Sequence, residues 1–321
     1  MAKFGLGTWS HSVYDFGDKD QIQRHADRLA KGGFKLLIPC VKNPPGFADF
    51  FTDVADVNRR YPDWDPLRVL IGACQERGIK VHLWFCIFPE GDNGKLLREH
   101  PQFRARFESR FPWACACRPQ VREYLLELYK DVGQRYKPDG LHLDYIRTGG
   151  QCVCEYCKWE MKARGVEIQA VRYGTPEFQK WIEWRTECIT DFVRRSRAIT
   201  KKLKMELSAA VFSNYPDCGE QQGQDWASWA EEKLVDYMFP MTYTNSLRML
   251  KMKTLAHVAQ MPPKVPMWEG LGKSAGCSEL STKDLVAQVK TALECGAQGV
   301  VLFSYPSITD EDIKAIKRIR G

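Results

Sequence analysis

Short apolar runs and amphipathic stretches alternate from one end of the chain to the other. Nearly continuous apolar segments at Phe4–Ser10, Phe34–Val41, Ile79–Phe88, Leu141–Ile146, Met205–Phe212, Tyr237–Tyr243, Val265–Trp268 and Gly299–Tyr305 read as strands. Helical periodicity fills the intervals, over Asp20–Lys31, Pro66–Arg77, Gln120–Tyr136, Pro176–Lys202, Trp226–Lys233, Asn245–Ala259, Thr282–Cys295 and Asp310–Ile319. Glycines at 32–33, 78 and 296 close three of these helices where a C-cap is expected. Strands that stay apolar on both faces fit a parallel sheet covered by helices.

Eight strands, each followed by a helix, in a chain of 321 residues predict an α/β fold, a (β/α)8 TIM barrel. The alternative, an open doubly wound sheet, would carry a Gly-rich phosphate turn after its first strand, and none follows Ser10. No linker, low-complexity tract or repeat interrupts the pattern, so residues 1–321 are expected to form a single domain. The segments after strands two, three and four (42–64, 89–119 and 148–175) are longer than ordinary connections. In a barrel all three fall at the C-terminal face, where active sites are built.

Composition narrows the class further. The hydrophobic share of 44% is that of an ordinary globular protein. The net charge of +7 is dispersed among acids on helices, which favours solvated faces over a nucleic-acid groove. No apolar run approaches the roughly 20 residues needed to span a bilayer, so no membrane association is expected. Met1–Gly5 lacks a charged-then-apolar leader, which predicts a cytoplasmic protein; a secreted one whose leader has been removed is the alternative.

Candidate chemistry concentrates at the predicted strand ends. Pro138–Arg147 (PDGLHLDYIR) ends a buried strand with His142 and Asp144 on one face, Leu141, Leu143 and Tyr145 on the other, and Arg147 three residues beyond the acid. A buried carboxylate and imidazole there need a partner or a purpose. An Asp144–Arg147 ion pair is the plain reading, and a catalytic carboxylate is the functional one. Other strand ends offer Trp9, His11, His82, Trp84, Ser213, Tyr243, Trp268, Glu269 and Tyr305, while Glu206 and Asp236 fall at strand beginnings and are assigned to the stability face. Two carboxylates among aromatic rings suit glycoside hydrolysis. Asp144, with its pKa lowered by Arg147, is expected to act as nucleophile or charge stabiliser. Glu269, desolvated beside Trp268, is expected to act as acid/base, with Asp225 second unless it simply caps the following helix. His82, His142, Arg147 and Tyr243 would bond hydroxyls, and Trp9, His11, Trp84, Trp268 and Tyr305 complete the binding surface.

Cysteines form a second constellation: Cys115 and Cys117 after strand three, Cys152, Cys154 and Cys157 after strand four. Neighbouring strands bring these loops together. Structural zinc, disulfides and unligated thiols compete for the five. None is needed for hydrolysis, so no cofactor is expected for catalysis.

Taken together, KVHLWF (80–85), PDGLHLDYIR (138–147), QDWASW (224–229), VDYMFPMTYT (235–244) and GVVLFSY (299–305) resemble glycosyl-hydrolase-like family 10, a group of (β/α)8 glycosidases. The resemblance covers roughly residues 4–320. It implies a carbohydrate substrate and a catalytic aspartate at the end of strand four, which is Asp144 here, and a Cys-rich stretch after that strand recurs in related barrels. The chain departs from the group at Trp268–Gly272 (WEGLG), where a Pro-Gly-Ile-Gly-like run often stands. It also lacks the Asp-Gly-x-Asp-x-Asp-x-Glu strand of chitinase-like barrels, so a chitinase-type activity is not expected. Two rival readings remain: a metal-dependent barrel hydrolase or isomerase using His11, His82 and His142, and a non-catalytic carbohydrate-binding barrel.

Overall fold

The computed structural model describes residues 4–109 and 111–320. Eight parallel strands close into a barrel: β1 (Gly5–Ser10), β2 (Leu36–Lys42), β3 (Lys80–Cys86), β4 (Gly140–Asp144), β5 (Glu206–Phe212), β6 (Tyr237–Met241), β7 (Trp268–Gly272) and β8 (Gly299–Phe303). Each pairs with its sequence neighbours, and β8 closes against β1. The outer layer is α1 (Lys19–Gly32), α2 (Pro66–Gln75), α3 (Pro119–Tyr136), α4 (Pro176–Leu203), α5 (Trp226–Glu231), α6 (Leu247–Gln260), α7 (Thr282–Glu294) and α8 (Asp310–Arg320). The predicted (β/α)8 architecture is therefore the observed one. Among the described residues no helix is long and apolar enough to cross a membrane.

Local signals start the helices where the pattern placed them. Asp18, Asp65, Thr175, Ser246 and Ser281 each accept a hydrogen bond from a first-turn backbone N–H. The main apolar core lies between the barrel and this helical layer, and a smaller one fills the barrel itself.

Alternation along the strands sorts the interior into levels. At the N-terminal end the Trp268 ring fills the opening. Glycines make room for it: a Cβ on Gly5 would stand 2.1 Å from that ring, and one on Gly299 2.7 Å. One level up, His82 lies over Gly140, where a Cβ would be 2.6 Å from its ring. Then come Trp84 beside His142, and Cys86 beside Asp144 at the C-terminal rim.

A chain of hydrogen bonds runs down this interior. Trp9 Nε1–H donates to His142 Nε2 (3.1 Å), His142 Nδ1 meets Ser208 Oγ (2.9 Å), the same hydroxyl meets His82 Nδ1 (2.9 Å), and His82 Nε2 meets the Glu206 carboxylate (3.0 Å). Desolvation, aided by the charge of His82, holds His142 well below the usual histidine pKa, so it is neutral. Its Nε2 accepts, so its Nδ1–H donates to Ser208.

One strand differs from its prediction. The seventh was expected at Val265–Trp268 and runs over Trp268–Gly272. Prolines at 262, 263 and 266 break the earlier segment, while Gly270 and Gly272, beyond the predicted end, are ladder residues. Gly270 is required by close packing: a Cβ there would lie 2.7 Å from the Pro240 carbonyl oxygen.

Candidate active site

A cavity of ≈ 490 Å³ opens at the C-terminal mouth of the barrel. Six aromatic rings stand in its wall, those of Trp9, Trp84, Tyr145, Phe212, Tyr243 and Phe303, together with Asp144, Arg147 and His11. Tyr243 stacks on Phe303 at 5.3 Å between centroids, and His11 meets the edge of Phe303 at 5.0 Å. Flat apolar faces of this kind suit a sugar ring.

Asp144 is the carboxylate of this wall among the described residues. β4 delivers it to the rim and then turns sharply, with Tyr145 at φ 50. That left-handed residue breaks the alternation, so Tyr145, expected to face outward, lines the cavity instead. Its backbone N–H donates to Asp144 Oδ1 at 2.6 Å. Desolvation raises the Asp144 pKa to about 6, against the lowering effects of Arg147, the Tyr145 N–H and the Trp84 indole N–H. Trp84 Nε1 is buried, faces that carboxylate, and makes no hydrogen bond of regular geometry.

The expected ion pair between Asp144 and Arg147 is replaced by a different arrangement. The Arg147 guanidinium lies over Tyr145 (4.4 Å), Phe212 (4.6 Å) and Trp113 (5.7 Å). Stacking holds its plane at the cavity wall. Arg147 therefore supplies a Coulomb effect at Asp144 without neutralising it, and the predicted lowering of the Asp144 pKa gives way to a rise.

The remaining predicted residues divide by level. Trp9, His11, Trp84, Arg147 and Tyr243 meet at the cavity. His142 and His82 lie below its floor, fully buried in the axial hydrogen-bond chain. Their ring nitrogens are taken by Trp9, Ser208 and Glu206, so they do not form a metal-binding group with His11. Trp268 plugs the opposite end of the barrel. Tyr305 packs between β8 and α1, stacked on Phe16 at 5.1 Å with its hydroxyl 2.7 Å from His25 Nδ1.

Neither proposed second carboxylate reaches the cavity. Glu269 is the second residue of β7, so alternation points it outward. Thr242 Oγ1–H donates to it at 2.5 Å, and His257 Nδ1 on α6 lies at 3.1 Å. The other ring nitrogen of His257 is 2.9 Å from the Ser213 carbonyl oxygen. Glu269 is thus a strut joining β6, β7, α6 and the end of β5. Asp225 sits at the N-cap position of α5 but bonds side chains, accepting from Ser228 (2.6 Å) and Tyr215 (3.1 Å), on the outer side of the barrel.

Sequence reasoning overlooked the seat of Arg147, made by Trp113 and Phe212 from two other segments. No local pattern announces it, because the three rings converge only in the fold. The thiols were grouped more closely than the structure has them. Cys115, Cys152, Cys154 and Cys157 converge, with all four Sγ atoms within 4.8 Å of one another. Cys117 is not one of these four, and its thiol lies beside them, against Cys115, Cys157 and Cys188.

Comparison with known proteins agrees with this architecture. The chain is 20% identical over 264 residues to the glycosyl hydrolase YngK of Bacillus subtilis (strain 168), covering 70% of this chain and 49% of that protein. It is 22% identical over 218 residues to the glycosyl hydrolase DigH of Escherichia coli O6:H1, covering 57% and 47% respectively. The chain thus spans about half the length of these curated relatives. Among solved structures, the glycoside hydrolase domain of PgaB (BpsB) from Bordetella bronchiseptica superposes with a TM-score of 0.78 at 14% identity, covering 99% of this chain and 98% of that one. An alpha-L-fucosidase from Paenibacillus thiaminolyticus superposes with a TM-score of 0.72 at 18% identity, covering 99% and 49%. At such identities these two likenesses speak to the fold. Residues 7–261 match the family model for glycosyl hydrolase-like 10, and the chain belongs to that family.

Proposed function

We propose that this chain is a glycoside hydrolase that binds a sugar in the aromatic cavity and cleaves an O-glycosidic bond with Asp144 at the anomeric carbon. The observation that carries this reading is a titratable carboxylate, pKa about 6, at the rim of a sugar-sized cavity walled by rings. Above pH 6 Asp144 is mainly ionised and serves as nucleophile or charge stabiliser. Trp84 Nε1–H and the Arg147 fork offer donors to substrate oxygens. Glu269 and Asp225 lie away from the cavity, so the leaving-group proton comes from another group. His11, at the cavity wall, fits that role by its position and its imidazole chemistry. The tyrosine hydroxyls of the wall are pushed upward by burial and stay protonated, which suits hydrogen bonding to sugar hydroxyls.

A panel of aryl glycosides and oligosaccharides tests the reading. Asp144→Asn should lower turnover by on the order of 10⁴. Azide should restore part of the activity of Asp144→Ala and give a glycosyl azide. His11→Ala should slow substrates with poor leaving groups by about 10²-fold and spare those with activated aryl leaving groups. Sugar binding that survives Asp144→Asn, with no turnover in either protein, would instead establish the carbohydrate-binding alternative.

A further inference from the structure

The cysteine cluster lies outside the cavity and has no part in the proposed hydrolysis. Cys115 Sγ is 3.5 Å from Cys157 Sγ, 3.8 Å from Cys154 Sγ and 3.9 Å from Cys152 Sγ, and Cys154 and Cys157 are 3.6 Å apart. Sulfurs at the corners of a tetrahedron around zinc, each about 2.3 Å from the metal, are about 3.8 Å from one another. A disulfide would bring one pair to about 2 Å and leave the others unmatched, whereas here one sulfur is shared among three neighbours. All four residues are buried. We propose that Cys115, Cys152, Cys154 and Cys157 form a structural tetrathiolate zinc site.

The surroundings suit thiolate ligands. The Arg106 backbone N–H donates to Cys152 Sγ at 3.3 Å. Cys154 is the N-cap of the helix Glu155–Ala163 and Cys157 lies in its first turn, so the helix dipole favours negative charge there. The Cys115–Cys117 turn is held rigidly: Arg122 Nη1 donates to the carbonyls of Ala116 (2.9 Å) and Cys117 (2.8 Å), and its Nε bonds Asp191 (3.1 Å). Four of the five sulfurs fall within metal-ligand distance of one another, and Cys117 packs beside them against Cys115, Cys157 and Cys188.

The metal would reinforce a junction between two loops that Val153 N–H to Arg106 O (2.8 Å) already brings side by side. Cys115 belongs to the long segment after β3, and the other three follow β4. Trp113, two residues before Cys115, is one face of the Arg147 seat. Arg147 lies five residues before Cys152. Zinc therefore clasps the aromatic seat of the cavity's guanidinium from behind, with no place in bond breaking.

Metal content of the purified chain, measured by mass spectrometry without added metal, tests the site. One zinc per chain is expected in the wild type and in Cys117→Ser, and less than a tenth of that in Cys115→Ser and Cys157→Ser. Cobalt in place of zinc should give the intense absorption of a tetrahedral thiolate centre. Thiol alkylation of the wild type covers the case in which the serine variants fail to fold. Cys115, Cys152, Cys154 and Cys157 should be protected when zinc is bound and react after chelation, while exposed Cys277 reacts in both. A folded wild-type protein that takes up neither zinc nor cobalt after reduction would overturn the site. So would a disulfide between any two of the four, iron as the native metal, or full zinc retention by both Cys115→Ser and Cys157→Ser.

Discussion

Desolvation and the charge of Arg147 pull the Asp144 carboxyl in opposite directions, and desolvation wins. Arg147 spends its flat faces on three rings and gives Asp144 only a distant field. The consequence for folding has a definite sign. Below pH 3.8 both the folded and unfolded chains hold the proton. Between 3.8 and about 6 the unfolded chain releases it first, so stability falls as pH rises, and the full cost persists above 6. The shift corresponds to about 3 kcal/mol. Asp144→Asn should thus stabilise the protein at pH 8 by up to that amount, and by much less at pH 4.5. Urea unfolding at the two pH values measures this, and an equal change at both would remove the assignment of the raised pKa to this residue.

The same carboxylate should set the acid limb of the activity profile. If Asp144 works ionised, kcat/KM rises with pH through about 6 and levels off. A profile that falls through that range would make Asp144 the proton donor. Glu269 gives the contrasting residue. Glu269→Gln leaves the cavity wall intact, so turnover should change less than about threefold, while loss of the bonds to Thr242 and His257 should cost roughly 1–3 kcal/mol of stability. The positions of Asp144 and Arg147 on the chain were readable from PDGLHLDYIR. Their mutual geometry was not, because it depends on rings contributed by Trp113 and Phe212.

At the scale of elements, β7 explains why the second carboxylate was misplaced. An apolar run ending at Trp268 looks like the end of a strand, yet the ladder begins there. The whole assignment moves by one strand length: Trp268 goes from rim to base, and Glu269 from the cavity to the helical layer. Glycine is ambiguous in a sequence, since it marks both turns and close approaches. Here Gly270 and Gly299 are close approaches. Gly270→Ala should cost about 1–3 kcal/mol through contact with the Pro240 carbonyl, and should disturb Trp9, whose ring would lie 3.2 Å from the new methyl. Thermal unfolding together with tryptophan fluorescence reports both effects. Strands three and four were placed to within two residues at each end because an inward–outward apolar pattern carries them and no proline interrupts it.

For the whole molecule, the alternation of eight strands with eight helices was legible because each unit carries its own period and caps. The long segments after β2, β3 and β4 were also legible by length, and they do build the C-terminal side. What the sequence could not supply was depth along the barrel axis. His82, His142 and Asp144 all face inward on adjacent strands, and only the register separates a base residue from a rim residue. Polar residues below the rim form a satisfied column, from Trp9 to Glu206, in place of a second site.

The Trp268 plug and the glycines that admit it seal the barrel at its far end. Among the described residues that leaves one doorway, and in the proposed hydrolysis saccharide, departing fragment and incoming water would all pass the Asp144 rim. The detached fragment must clear that doorway before water can take its place, so the freed sugar should compete directly with fresh substrate, raising apparent KM while leaving kcat untouched.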